Sequence, residues 1–147
     1  MLKTKVKAVR INLMKPKQIY TYIKILAIIG LLLSVYLLWQ QFFRPAFQPC
    51  TINSFINCDA VISGPVAKTF GIPTPLYGLV GYTVIYLATI LKQKKLLLGA
   101  AAFGLLFCLG IGYIELVQLR VICPICIGCQ VIMIIIFALA IKLHKLK

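Results

Sequence analysis

The sequence predicts an all-α membrane protein: a four-helix transmembrane bundle with a short interfacial lid helix in its first extracytoplasmic loop. Three observations lead there. Of 147 residues, 62% are hydrophobic and only Asp59 and Glu115 are acidic, which excludes an ordinary soluble domain. Four runs are long and uncharged enough to cross about 30 Å of hydrocarbon, which takes roughly 20 helical residues. They cover 25–43, 69–91, 96–119 (broken only by Glu115, one turn from its end) and 121–141. The net charge of +14 then sorts by the end of the span it flanks, and the sorting is lopsided.

Taken in order, residues 1–18 form a basic arm suited to lie on anionic lipid at the cytoplasmic surface, where each Lys or Arg contributes about 1 kcal/mol. The arm lacks the aromatic stacking partners that RNA binding favours, so nucleic acid is not expected. Residues 19–147 form the transmembrane domain, with spans at about 20–43, 72–91, 96–119 and 122–142. The first run is too long and too aromatic at its exit (Trp39, Phe42, Phe43) for a cleaved signal peptide, and no A-x-A-like site follows it. Lys3, Lys5, Lys7, Arg10, Lys15, Lys17, Lys24, Lys92, Lys94, Lys95, Lys142, Lys145 and Lys147 fall on one side of such a bundle, leaving Arg44, Lys68 and Arg120 on the other. The positive-inside rule therefore places both termini in the cytoplasm of a multi-pass protein of the cell membrane.

That topology puts Cys50, Cys58, Cys123 and Cys126 together on the oxidising face, where disulfides persist. Between the first two spans, Pro and Gly mark a loop to about Asn57, a lid segment at about 58–68, apolar at Val61, Ile62, Val66 and Ala67, and a second turn at GIPTP. Asn57 or Cys58 is placed to cap the lid helix, with Asp59 in its first turn. In CPICIGC, Pro124 suits the first helical turn, which makes Cys123 the N-cap and puts Cys126 within reach of the helix's free N–H groups. The positive end of the helix favours thiolate there, and two cysteines three apart can bridge. Cys129 lies about 4.5 Å deeper and is expected to pack, with capture of Cys126 as the alternative. Cys108 belongs to a small-residue stripe with Ala100, Gly104 and Gly112, the pattern by which membrane helices approach closely.

The order Cys-x7-Cys, then CDAVISGPVAKTFGIPTPLYGLVGY, then CPIC opening the last helix, resembles the vitamin K epoxide reductase family in its prokaryotic form over about 31–137. The resemblance implies a four-helix bundle around a quinone (ubiquinone or menaquinone), capped by a horizontal helix. It also implies roles for the cysteines: Cys50 as the outer shuttle thiol meeting a thioredoxin-like partner, Cys58 as the inner shuttle thiol, Cys123 as its target and Cys126 as the thiol facing the quinone. Relatives often carry a fused thioredoxin-like domain; this chain stops at Lys147, so a separate extracytoplasmic partner is expected. Ser63, Thr74, Tyr82 and Glu115 are candidates for the quinone's hydrogen-bonding groups. For Glu115, the alternatives are an inward-facing proton-moving carboxylate and an ion pair with Arg120 near the surface.

The expected activity is thiol-disulfide oxidation at the expense of quinone, supporting disulfide formation outside the cytoplasm. A vitamin K-type epoxide cycle could use the same thiols. The unrelated quinone-linked disulfide oxidase of bacteria carries its CxxC after the first span, the reverse of the order here. A membrane scaffold with Cys50, Cys58, Cys123 and Cys126 as four zinc ligands is the reading from another class.

Overall fold

The computed structural model describes residues 14–43, 46, 49–65 and 67–146. Most of the basic arm, including Lys3, Lys5, Lys7 and Arg10, lies outside the described residues, as do Arg44, Val66 and Lys147.

Four long helices dominate: α1 (Pro16–Phe43), α3 (Thr74–Ile90), α4 (Lys94–Tyr113) and α5 (Pro124–Lys145), with the short α2 (Cys58–Ser63) between the first two. Three of them are long and apolar enough to cross a membrane, α4 being counted with the π-helical turn Ile114–Leu119 that continues it; α3 is a shorter apolar helix. The helices close a ring in which α1 packs on α3 and α5, and α4 packs on the same two. Pro16, which needs no N–H partner at a first turn, starts α1 ahead of the expected position 20, so the helix takes in part of the segment assigned to the arm.

The inward face of α1 is a narrow stripe, Ile19, Ile23, Ala27, Gly30, Ser34, Leu37 and Gln40, while Leu32, Val35 and Phe42 point outward. Small residues set the closest approaches. A Cβ on Gly30 would lie 2.4 Å from the ring of Tyr82 on α3. The stripe on α4 does what its spacing predicts: Gly104 faces Met133, and Gly112 faces Gln130, whose Nε2 donates to the Cys108 carbonyl at 3.2 Å.

The lid segment differs from its expected length. The helix ends at Ser63 because Gly64 and Pro65 follow, and Ala67 lies beyond it. A tight hairpin comes next, β1 (Lys68–Thr69) paired antiparallel with β2 (Ile72–Pro73). Its two-residue turn has Phe70 at φ 54° and Gly71 at φ 81°, the mirror-image turn geometry that matches strand twist. The Ala67 carbonyl accepts from Thr74 N–H at 3.0 Å and from Gln41 Nε2 at 3.0 Å, fastening the hairpin to α1 and to the start of α3.

Candidate functional site

The site assembles where two helix beginnings meet. Asn57 caps α2, its Oδ1 accepting from Ala60 N–H at 3.0 Å, which makes Cys58 the first helical residue. Cys123 caps α5 ahead of Pro124, its sulfur accepting from Cys126 N–H at 3.4 Å, as the sequence predicts. The chain before each cap is tied to the other. Ile56 and Ile122 form a parallel bridge in which Ile122 N–H donates to Phe55 O at 2.6 Å and Asn57 N–H donates to Ile122 O at 3.2 Å. This clasp sets Cys58 and Cys123, both fully buried, side by side with their sulfurs 3.2 Å apart.

Cys50 and Cys58 are joined in a disulfide with a Cα–Cα distance of 5.7 Å, whereas Cys123 and Cys126 are free thiols. Two of the four sulfurs considered as zinc ligands are thus bonded to each other in this structure. No cluster of three or more metal-ligating side chains occurs among the described residues. Cys50 is bonded to Cys58, Cys58 lies against Cys123, and Cys123 accepts from Cys126 N–H, so the four cysteines follow one another in a line of contacts. The line leads from the loop after α1 to a cavity inside the bundle, and Cys126 stands in the wall of that cavity.

The cavity has a volume of about 720 Å³ and an almost wholly apolar lining drawn mainly from α3 and α4. It reaches Val80 and Phe103, both exposed, so it opens through the side of the bundle between those helices. Its polar wall contains Ser34, Thr74, Tyr82, Glu115 and Gln130. Size and chemistry suit a flat ring with an apolar tail, because ligand sites of this class are apolar clefts carrying a few polar groups that set orientation.

The four candidates for hydrogen bonding divide. Thr74, Tyr82 and Glu115 line the cavity; Ser63 does not, because it lies exposed on the outer side of α2 and donates to Asp59 Oδ1 at 2.9 Å. The Tyr82 hydroxyl donates to the Cys129 carbonyl at 2.9 Å, leaving its oxygen as an acceptor. Thr74 Oγ1 lies 3.2 Å from Thr69 Oγ1.

Glu115 is the one buried carboxylate among the described residues, 2% exposed. Its place in the π-helical turn is fixed by its own carbonyl, which accepts from the N–H groups of Arg120 and Val121. Arg120 itself is exposed and takes a left-handed conformation to end the turn. The ion-pair alternative fails on this geometry.

Cys129, expected to pack, lines the same cavity as Cys126 and Cys108. Ser34, Tyr77 and Gln130 are polar cavity residues that the sequence does not single out. Gln130 is the one amide in the uncharged run 121–141, and that is the signal that would have found it.

None of the curated proteins compared matches the chain. Residues 21–141 match the Vitamin K epoxide reductase family, a span that takes in every cysteine and most of the four long helices. The chain therefore belongs to the vitamin K epoxide reductase family, and with it to the membrane oxidoreductases that work through thiols and disulfides.

Proposed function

We propose that the protein oxidises the dithiol of a thioredoxin-like partner and passes the electrons through Cys50/Cys58 and Cys123/Cys126 to a membrane quinone, ubiquinone or menaquinone, so driving disulfide formation outside the cytoplasm. The observation that carries this reading is the 3.2 Å approach of Cys58 to Cys123, with Cys126 next along and opening on an apolar cavity. In the same reading α3 is the fourth span, α2 the lid, both termini are cytoplasmic, and the cysteine end faces the extracytoplasmic side of the cell membrane. The basic residues at the opposite end support that orientation.

The exchange runs in balanced steps. A partner thiolate attacks Cys50, and Cys58 leaves as thiolate; the partner's second thiol then closes the partner disulfide and frees Cys50. Cys58 attacks Cys123 of a Cys123–Cys126 bridge, and Cys126 leaves as thiolate. Cys50 attacks Cys58 in the new Cys58–Cys123 bond, which restores the Cys50–Cys58 disulfide; with uptake of the two protons given up by the partner dithiol, Cys123 and Cys126 are left as thiols carrying its two electrons. A bonded Cys50–Cys58 pair beside free Cys123 and Cys126 is the arrangement that follows this last step. Each exchange depends on thiolate fraction, leaving group and access.

A quinone supplies the acceptor for two electrons and two protons. Thr74, Tyr82 and Glu115, which line the cavity with Cys126, would hydrogen-bond it there. The side opening between α3 and α4 supports exchange with the lipid phase.

Dithiol-driven reduction of quinone by the purified protein in detergent tests the reading, with Cys126→Ala and Cys129→Ala beside the wild type. Activity lost in Cys126→Ala and kept in Cys129→Ala is the expected result. Loss only in Cys129→Ala would move the reactive sulfur one turn deeper, and inactivity of the wild type with both quinones would overturn the reading.

A further inference from the structure

We infer that Glu115 is the base that takes the proton from the Cys126 thiol and carries it toward the electron acceptor in the cavity. The inference deepens the reading above by assigning a proton carrier to a step that the cysteines alone leave without one. Its place in the cavity points to it. The carboxyl group is buried at 2% exposure in the wall that Cys126 also lines, and its Oε1 has no hydrogen-bond partner among the described residues.

The cost of burying a lone charge in a membrane bundle is what makes the position informative. Buried ionisable groups in such bundles face the interior and serve pathways for ions or protons. The titratable groups facing Glu115 are all thiols: Cys108 from its own helix, and Cys123, Cys126 and Cys129 from α5. With no cation among these groups to neutralise it, the carboxylate is balanced by the proton it can share with Cys126. The π-helical turn is the device that holds it there, and such turns gather at functional positions.

The step balances without any added reagent. Cys126–SH and the Glu115 carboxylate become Cys126–S⁻ and Glu115–COOH; the electron pair stays on sulfur and the proton moves to a carboxyl oxygen. When Cys123 and Cys126 close their disulfide, two electrons leave the sulfurs for the quinone. The Cys126 proton follows from Glu115, and the second proton comes from the Cys123 thiol.

The test reads Cys126 directly, apart from turnover. Alkylation of Cys126 by a membrane-permeant maleimide, followed by mass spectrometry at pH 7, would be compared in the wild type, Glu115→Gln and Glu115→Asp, all in a Cys108→Ala/Cys129→Ala background. Glu115→Gln should slow alkylation about tenfold and lower kcat for quinone reduction by about a hundredfold, as loss of a general base does. Glu115→Asp should recover part of both rates. Alkylation that is unchanged or faster in Glu115→Gln would overturn the inference, as would equal losses in Gln and Asp. A wild type that reduces no quinone would sink the oxidase reading, and the alkylation rates would still decide the role of Glu115.

Discussion

At the end of the bundle that carries Met14 and Leu146, the helices meet through Ile19, Ile23, Ile85, Leu97, Ile136 and Leu143, all sealed from any surrounding phase. At the other end the buried set is Cys50, Cys58, Val61, Val121 and Cys123, adjoining a cavity of about 720 Å³. The long helices supply the first set, whereas the second comes from the loop after α1, from α2 and from the segment that leads into α5, so the two ends differ in what fills the space. Branched aliphatics interdigitate and fix helix positions at one end. Sulfurs, glycines and short turns leave room for exchange at the other. The packed end positions the helices, so that the open end can hold two sulfurs 3.2 Å apart without being filled.

The sharpest way to test that division is to stop the sulfur relay at its last member. Cys126→Ser should reduce dithiol-driven quinone reduction to the uncatalysed level. It should also leave Cys123 free to attack Cys58, releasing Cys50 as a thiol, so that a Cys58–Cys123 disulfide accumulates. Non-reducing peptide mapping would detect it; a Cys50–Cys58 bond that persists in this variant would mean that the clasp does not bring the two sulfurs into reaction.

The packed end should respond in the opposite currency. Ile136→Ala deletes a fully buried side chain from the aliphatic cluster and should lower unfolding stability in detergent by about 3 kcal/mol, as core truncations do. Combined with Cys126→Ser, it should leave the yield of the Cys58–Cys123 disulfide unchanged below the melting temperature. A reduced yield would show that the two ends are coupled.

Between those ends, the cavity is the property that helix spacing alone does not specify. Gly81 lines it, and a Cβ there meets nothing within 4 Å. Gly81→Phe should fill the space and raise the KM for quinone about tenfold, equivalent to about 1.4 kcal/mol, with little change in melting temperature. An unchanged KM would place the acceptor elsewhere.

The two ends also differ in how far the sequence discloses them. Long uncharged runs announce the helices, and Pro124 after Cys123, like Asn57 before Cys58, announces the caps, because those residue types satisfy free N–H groups at helix starts. Which face of each helix points inward is not announced. The helices are apolar on every side, so hydrophobic periodicity carries little information, and the inward stripe of α1 includes Gly30, Ser34 and Gln40. Gln130 is inconspicuous for the same reason: an amide within an apolar run shows no partner in the sequence, and its donor rests on Cys108 O in the fold. The hairpin after α2 is not legible because strands of two residues have no alternation to read. The bridge between Ile56 and Ile122 joins segments 66 positions apart, which no local pattern encodes.

The smallest effect expected tests how Cys58 is held. Asn57 Oδ1 is the side-chain acceptor at the start of α2, and the Asn57 backbone N–H closes the clasp to Ile122 O. Asn57→Ala removes the first and keeps the second, so the helix start should loosen by about 1 kcal/mol while the bridge remains. In the Cys126→Ser background, the Cys58–Cys123 disulfide should then form a few-fold more slowly and reach the same final yield, measured by quenching at intervals with acid. Asn57→Asp, which keeps the acceptor, should restore the rate. A lower final yield in Asn57→Ala would mean that the cap, and not the backbone clasp, sets the distance between the two sulfurs. An unchanged rate would mean that α2 is held by its buried Val61 and Ile62 alone.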